Sequence, residues 1–227
     1  MSNLHRRGLY VCFLMLIGIV FSVSIKADSY YDRLVSLFEI LPIGSDDIVF
    51  LGNSITDGGE FQELLNNSHV KNRGISSDVI GGVEKRLEQV MSGKPAKVFL
   101  LIGINDVSHN LTVNQLASRY EKLVKKMREL SPDTKIYLQS VMPINNDFKR
   151  YKNLIGKEQT IKNFNREIEK IAKENGCTYI NLTGALSDNK TGKLKREYTN
   201  DGLHLTGAGY KAWINFVKPY INEQINN

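Results

Sequence analysis

Residues 50–59 read FLGNSITDGG. They complete a run, DIVFL, that is rich in β-branched and aromatic residues without polar alternation, the pattern of a strand buried on both faces. Gly52 then permits a sharp turn. Ser54, a hydroxyl among polar neighbours, therefore stands at a strand exit, and in open parallel sheets ligands bind beyond the carboxyl ends of the strands.

Working outward, four further apolar runs follow: HVKNRG (69–74), AKVFLLIG (96–103), KIYLQSVM (135–142) and CTYINL (177–182). Helical patterns separate them: FQELLNN, SDVIGGVEKRLEQVM, TVNQLASRYEKLVKKMREL and KEQTIKNFNREIEKIAKENG. In the third, Leu116, Tyr120, Leu123, Val124, Met127 and Leu130 recur at helical spacing and Thr112 reads as the N-cap. Its Lys122, Lys125, Lys126 and Arg128 read as a solvated face. Strand and helix in alternation imply parallel pairing through crossovers, hence a sheet with helices on both faces. Exits carrying GNS, NRG and GIND, with NDGLH (200–204) before a closing helix, bring four polar clusters to one edge.

Length and composition limit the alternatives. A chain of 227 residues, 41% hydrophobic and 24% charged, is enough for one well-buried domain. Residues 1–27 stand apart: His5, Arg6 and Arg7 precede LYVCFLMLIGIVFSVSI, and Ala27 is a small residue suited to a cleavage point. The expectation is a signal peptide over 1–27 and a single domain over 28–227, exported to the periplasm or secreted, with an N-terminal membrane anchor as the competing reading. Cleavage removes Arg6, Arg7 and Lys26 and no acid, so the formal charge falls by three, from +6 to +3. That is too mild a charge for nucleic-acid binding. Of the two cysteines only Cys177 remains, which precludes an intramolecular disulfide and points to packing.

Acyl transfer needs an alcohol, a base to take its proton, a partner that fixes the base's tautomer, and donors for the developing oxyanion. Ser54 supplies the alcohol. Of four histidines, His5 belongs to the leader, and His69 and His109 lie outside the DGLH cluster, which leaves His204 as base and Asp201 as its partner. The Ser54 N–H, the N–H of Gly74 and the side-chain amide of Asn105 are the expected oxyanion donors.

GNSIT (52–56), NRGIS (72–76), GIND (103–106) and DGLHLTGAGY (201–210) resemble the four blocks of the SGNH hydrolases, also called the GDSL lipase/esterase family. The resemblance runs from about Asp47 to the C-terminal helix. It implies a flavodoxin-like three-layer α/β/α sandwich with a five-stranded parallel sheet, and ester hydrolysis through an acyl-serine with no metal or cofactor. The family's serine, glycine, asparagine and histidine fall on Ser54, Gly74, Asn105 and His204, and its acid on Asp201. NRGIS and QSVMPIN are most similar to the acetylesterase and platelet-activating-factor-acetylhydrolase-like branch, which implies short acyl groups, including O-acetyl groups on sialic acid or polysaccharide. A lysophospholipase or thioesterase acting on longer chains, or an O-acyltransferase using the same serine, are the alternatives. One departure is Asn53, where the family usually has aspartate; an amide keeps the acceptor and loses the charge.

Elsewhere, INNDFKRYKNLIG (144–156) follows the fourth strand and offers Asn145, Asn146, Arg150 and Tyr151 as substrate contacts. Asp106 is expected to tether its own loop, SDNKTGKLKRE (187–197) to form a hydrophilic turn, and YYDRLVSLFEI (30–40) to pack on the sandwich as a helix.

Overall fold

Each apolar run becomes a strand. The computed structural model describes residues 29–224, and the leader expected over 1–27, with Cys12, lies outside the described residues. In chain order the elements are α1 (Tyr30–Ile40), β1 (Ile48–Gly52), α2 (Ser54–Asp57), α3 (Phe61–Leu65), β2 (Val70–Gly74), α4 (Ile80–Lys85), α5 (Glu88–Met91) and β3 (Lys97–Leu101). They continue as α6 (Ile104–Ser108), α7 (Val113–Leu130), β4 (Lys135–Gln139), α8 (Glu158–Glu174), β5 (Thr178–Ile180), α9 (Thr183–Leu186) and α10 (Gly207–Asn222). The five strands form one sheet in the order β2-β1-β3-β4-β5, every pair parallel. This is the flavodoxin-like order. The reversal beside β1 puts the exits of β1, β2 and β3 side by side.

Strand alternation assigns the two faces. Phe50, Phe99 and Tyr137 lie in register on neighbouring strands and stack across the sheet, with centroids 5.1 and 4.4 Å apart. Phe61 of α3 stacks on Phe50 at 4.1 Å, and Trp213 of α10 meets both rings edge-on. The buried Trp213 indole donates to Gln139 Oε1 at 2.7 Å. Val49, Leu51, Val98, Leu100, Ile136 and Leu138, one step out of phase, are the residues left to face α4, α5, α7 and α8. The result is three layers, α/β/α.

In α7, Leu116, Tyr120, Leu123, Val124 and Met127 are buried and Leu130 is partly so, as the spacing predicts. Thr112 caps it within a full capping box with Gln115. Lys122 and Lys125 sit on the wet face, paired with Glu84 and Glu121. Arg128 departs from that reading: its guanidinium donates to the carbonyls of Thr134, Asn175 and Gly176 and pins the turn before β5. The pattern SDVIGGVEKRLEQVM also forms two short helices rather than one. The chain breaks at Arg86, whose buried guanidinium donates to Asp78 at 2.8 Å and to the Gly52 carbonyl at 3.1 Å. The buried Asp78 carboxylate is thereby paired, where leaving it alone would be strongly destabilising.

Helix α1 packs on the sandwich through Phe38 and through the Tyr31 hydroxyl, which donates to the Gly82 carbonyl. Cys177 is half-buried against the core, and burial pushes its thiol pKa up. Among the described residues no helix is long and apolar enough to cross a membrane.

Candidate active site

Ser54 is the first residue of α2, where the chain turns straight out of β1. Asn53 is the N-cap: buried, it accepts from the Ile55 N–H through Oδ1 at 3.1 Å. Only an acceptor is needed there, which an amide supplies as an acid does. Gly52 is enforced by close approach, since a Cβ there would lie 2.3 Å from the Leu101 carbonyl oxygen and from Thr56 Oγ1.

Ser54 Oγ lies 2.9 Å from His204 Nε2, and His204 Nδ1 lies 2.8 Å from Asp201 Oδ2. Ser54 and His204 are 150 positions apart in the chain. Asp201 Oδ1 also accepts from the main-chain N–H groups of Leu203 and His204 at 2.9 and 2.8 Å, so the DGLH turn folds around its own carboxylate. Burial pulls the Asp201 pKa upward, but the His204 imidazole, the two main-chain donors and the Tyr151 hydroxyl outweigh it and hold it at about 2. The carboxylate is therefore ionised at neutral pH.

A cleft of about 580 Å³ opens over this chain. Ser54, Ser76, Ser77, Asn105 and Ser108 line one side, and Arg150, Tyr151, Lys152, Asn153 and Leu154 the other. The Asn105 amide donates one N–H to the Asp78 carbonyl at 2.8 Å, which orients the side chain and leaves its second N–H for the cleft. Asp78 is buried against Arg86, so the ion pair that splits the helix also braces this amide. Asp106 ties α4 rather than its own loop: buried, it accepts from the Ile80 N–H at 3.0 Å.

Gly74 requires correction. Its N–H donates to Asn72 Oδ1 at 2.7 Å, and it does not line the cleft. The glycine is demanded by packing instead, because a Cβ at this position would lie 2.1 Å from the Asp57 nitrogen. Asn72 binds the Thr56 and Gly59 carbonyls with its amide, both at 2.8 Å, and so staples the turn after Ser54 to β2. Ser77 occupies the cleft where Gly74 was expected. It has a left-handed φ of +68°, and its N–H has no partner among the described residues. Sequence reasoning missed it because serine rarely adopts this conformation. Asp57 secures the same turn by accepting from the Ser76 N–H at 3.0 Å and from the Tyr30 hydroxyl at 2.9 Å.

Of the loop residues offered as contacts, Arg150 and Tyr151 reach the cleft. Asn145 is buried and donates to the Leu194 carbonyl, and Asn146 binds the Leu154 carbonyl and Glu158. Tyr151 also reaches past the cleft wall: its hydroxyl donates to Asp201 Oδ2 at 2.8 Å and lies 3.0 Å from His204 Nδ1. Burial, then the neighbouring carboxylate, pushes its pKa up to about 12. Among the described residues no group of three His, Cys, Asp or Glu side chains forms a metal-holding arrangement.

Residues 50–212 match the model of the GDSL-like Lipase/Acylhydrolase family. The chain belongs to this family. It is accordingly a carboxylic ester hydrolase of the GDSL type. Among solved structures, a Streptococcus pneumonia protein named for platelet activating factor is 28% identical, with 85% of this chain and 92% of that chain covered and a TM-score of 0.76. A GDSL-like lipase from Bacteroides thetaiotaomicron is 26% identical, with coverage of 84% and 96% and a TM-score of 0.74. Axe2, an acetylxylan esterase from Geobacillus stearothermophilus, shares the fold at 20% identity, with coverage of 82% and 98% and a TM-score of 0.65. No curated protein matches the chain.

Proposed function

We propose that this GDSL hydrolase removes short acyl groups, acetyl above all, from hydroxyl-rich carbohydrate esters through an acyl-serine. The observation that carries the reading is the unbroken hydrogen-bond chain from Ser54 through His204 to Asp201, opening into a cleft that Ser76, Ser77, Asn105 and Arg150 also line. His204 Nε2 takes the Ser54 proton as Oγ attacks the ester carbonyl, then returns it to the departing alcohol. Water repeats the sequence on the acyl-enzyme, with His204 again as base. The N–H groups of Ser54 and Ser77 and the free N–H of Asn105 receive the oxyanion, each worth about 3 kcal/mol of barrier.

The hydroxyl, amide and cationic groups among the lining residues supply hydrogen-bond partners for a sugar as the alcohol portion. Leu154 and Leu203 are the only aliphatic side chains among the lining residues, too few to hold a long acyl chain. Arg150 and Lys152 stand on the loop side of the cleft and suit an acidic sugar, sialic acid or a uronate-containing polysaccharide. A leader over residues 1–27, as the sequence leads one to expect, would carry the chain to a substrate met outside the cell.

The test is a chain-length series of aryl esters run beside acetylated neutral and acidic sugars, on the wild type and on Ser54→Ala. Acetyl is expected to be turned over fastest, with activity falling by about three orders of magnitude or more in the variant. Equal rates on long acyl chains would overturn the short-chain reading. Transfer of the acetyl group to an added acceptor sugar, in preference to water, would make the protein an acyltransferase.

A further inference from the structure

Tyr151, His204 and Asp201 form a closed triangle of polar atoms. The hydroxyl is 2.8 Å from Asp201 Oδ2 and 3.0 Å from His204 Nδ1, and Nδ1 is itself 2.8 Å from the same carboxylate oxygen. The ionised carboxylate can only accept. The phenol, with its pKa raised, keeps its proton, so that proton goes to Oδ2. Nδ1 must likewise carry a proton to bond Oδ2. The phenolic oxygen then turns a lone pair toward Nδ1–H, which has two acceptors, while Nε2 is left bare to face Ser54.

We infer that Tyr151 is a positioning residue that holds the Asp201 carboxylate and the Nδ1–H tautomer of His204, so that the substrate-facing loop and the catalytic hydrogen-bond chain assemble as one unit. The same loop carries Arg150, Lys152 and Asn153 into the cleft. A displaced loop would therefore remove substrate contacts and loosen the base together. This role rests on the ester-hydrolase reading. The loop has anchors of its own: the Asn145 N–H donates to the Gly202 carbonyl, the Asn145 amide to the Leu194 carbonyl, and Lys193 pairs with Asp147. The Tyr151 ring also meets the imidazole edge-on at 5.7 Å, a contact that phenylalanine retains. Removing the oxygen alone thus probes the triangle and leaves the loop docked.

Tyr151→Phe in the full-length protein is the experiment. On an aryl acetate, kcat is expected to fall about tenfold, the cost of one hydrogen bond to a charged group. KM should stay within about twofold, because the cleft wall is retained. The low-field imidazole Nδ1–H proton resonance should shift or broaden by exchange, with the melting temperature nearly unchanged. A wild-type kcat with an unmoved resonance overturns the proposal. So does a loss of kcat that tracks a falling melting temperature while the resonance of the folded protein stays in place. The resonance is read without substrate, so a failure to find any ester turnover would sink the functional reading separately.

Discussion

At the scale of single residues, chemistry and packing demand the same amino-acid types for different reasons. Ser54, His204 and Asp201 are separated in sequence and joined by two hydrogen bonds of ordinary length. Gly74 sits in a motif beside them, yet its missing side chain makes room for the main chain at Asp57. Gly74→Ala should consequently act on folding: overpacking against main chain costs about 3 kcal/mol, read as a lowered midpoint in urea. Stability equal to that of the wild type would show that the strand can shift to admit a methyl group. Ser77 completes the contrast, since it lines the cleft in a left-handed turn with an N–H that has no partner among the described residues, and no side-chain pattern announces that.

At the scale of elements, most of α7 was legible: its apolar stripe and its capping threonine appear in the sequence at the period a helix requires, whereas Arg128, read as part of the wet face, is claimed by carbonyls before β5. Helices α4 and α5 were legible only as helical material. Their separation depends on Arg86 finding Asp78 and the Gly52 carbonyl, contacts 8 and 34 positions away. Lys97 is a second case. It opens β3, yet it is buried, and its ammonium donates to the carbonyls of Tyr220, Ile221 and Glu223 at the end of α10. A cation at a helix C-terminus interacts favourably with the macrodipole and satisfies carbonyls that have no helical partner. Lys97→Met should cost about 2 kcal/mol and raise amide exchange in the last turn of α10. Unchanged exchange there would mean that the helix end is held by Lys135 and Tyr137 through Glu223 alone.

At the scale of the molecule, the site is an edge property of one sheet. Ser54 leaves β1, Ser76 and Ser77 follow β2, Asn105 follows β3, and His204 enters from the turn before α10. Their common support is the core of Phe50, Phe99, Tyr137 and Trp213. Trp213 is the chain's single tryptophan and is fully buried in that core. Its fluorescence therefore reports the sheet, whereas labelling of Ser54 by a fluorophosphonate reports the edge. The two should disappear at the same denaturant concentration, as a single cooperative unit requires. Loss of labelling well before the fluorescence change would reveal a site that melts independently of the sheet.

The sequence by itself determined the strand and helix alternation, the parallel sheet it compels, and the residue types at each strand exit, because these follow from hydrophobic period and from glycines at turns, both local properties. Tertiary structure alone decided which exit groups face the cleft. That choice depends on competition for each donor and acceptor: Asn72 claims the Gly74 N–H, Asp78 orients Asn105, and Tyr151 arrives from 50 positions away to share the Asp201 carboxylate. Such competition is settled by distances between segments that meet only when the chain is folded.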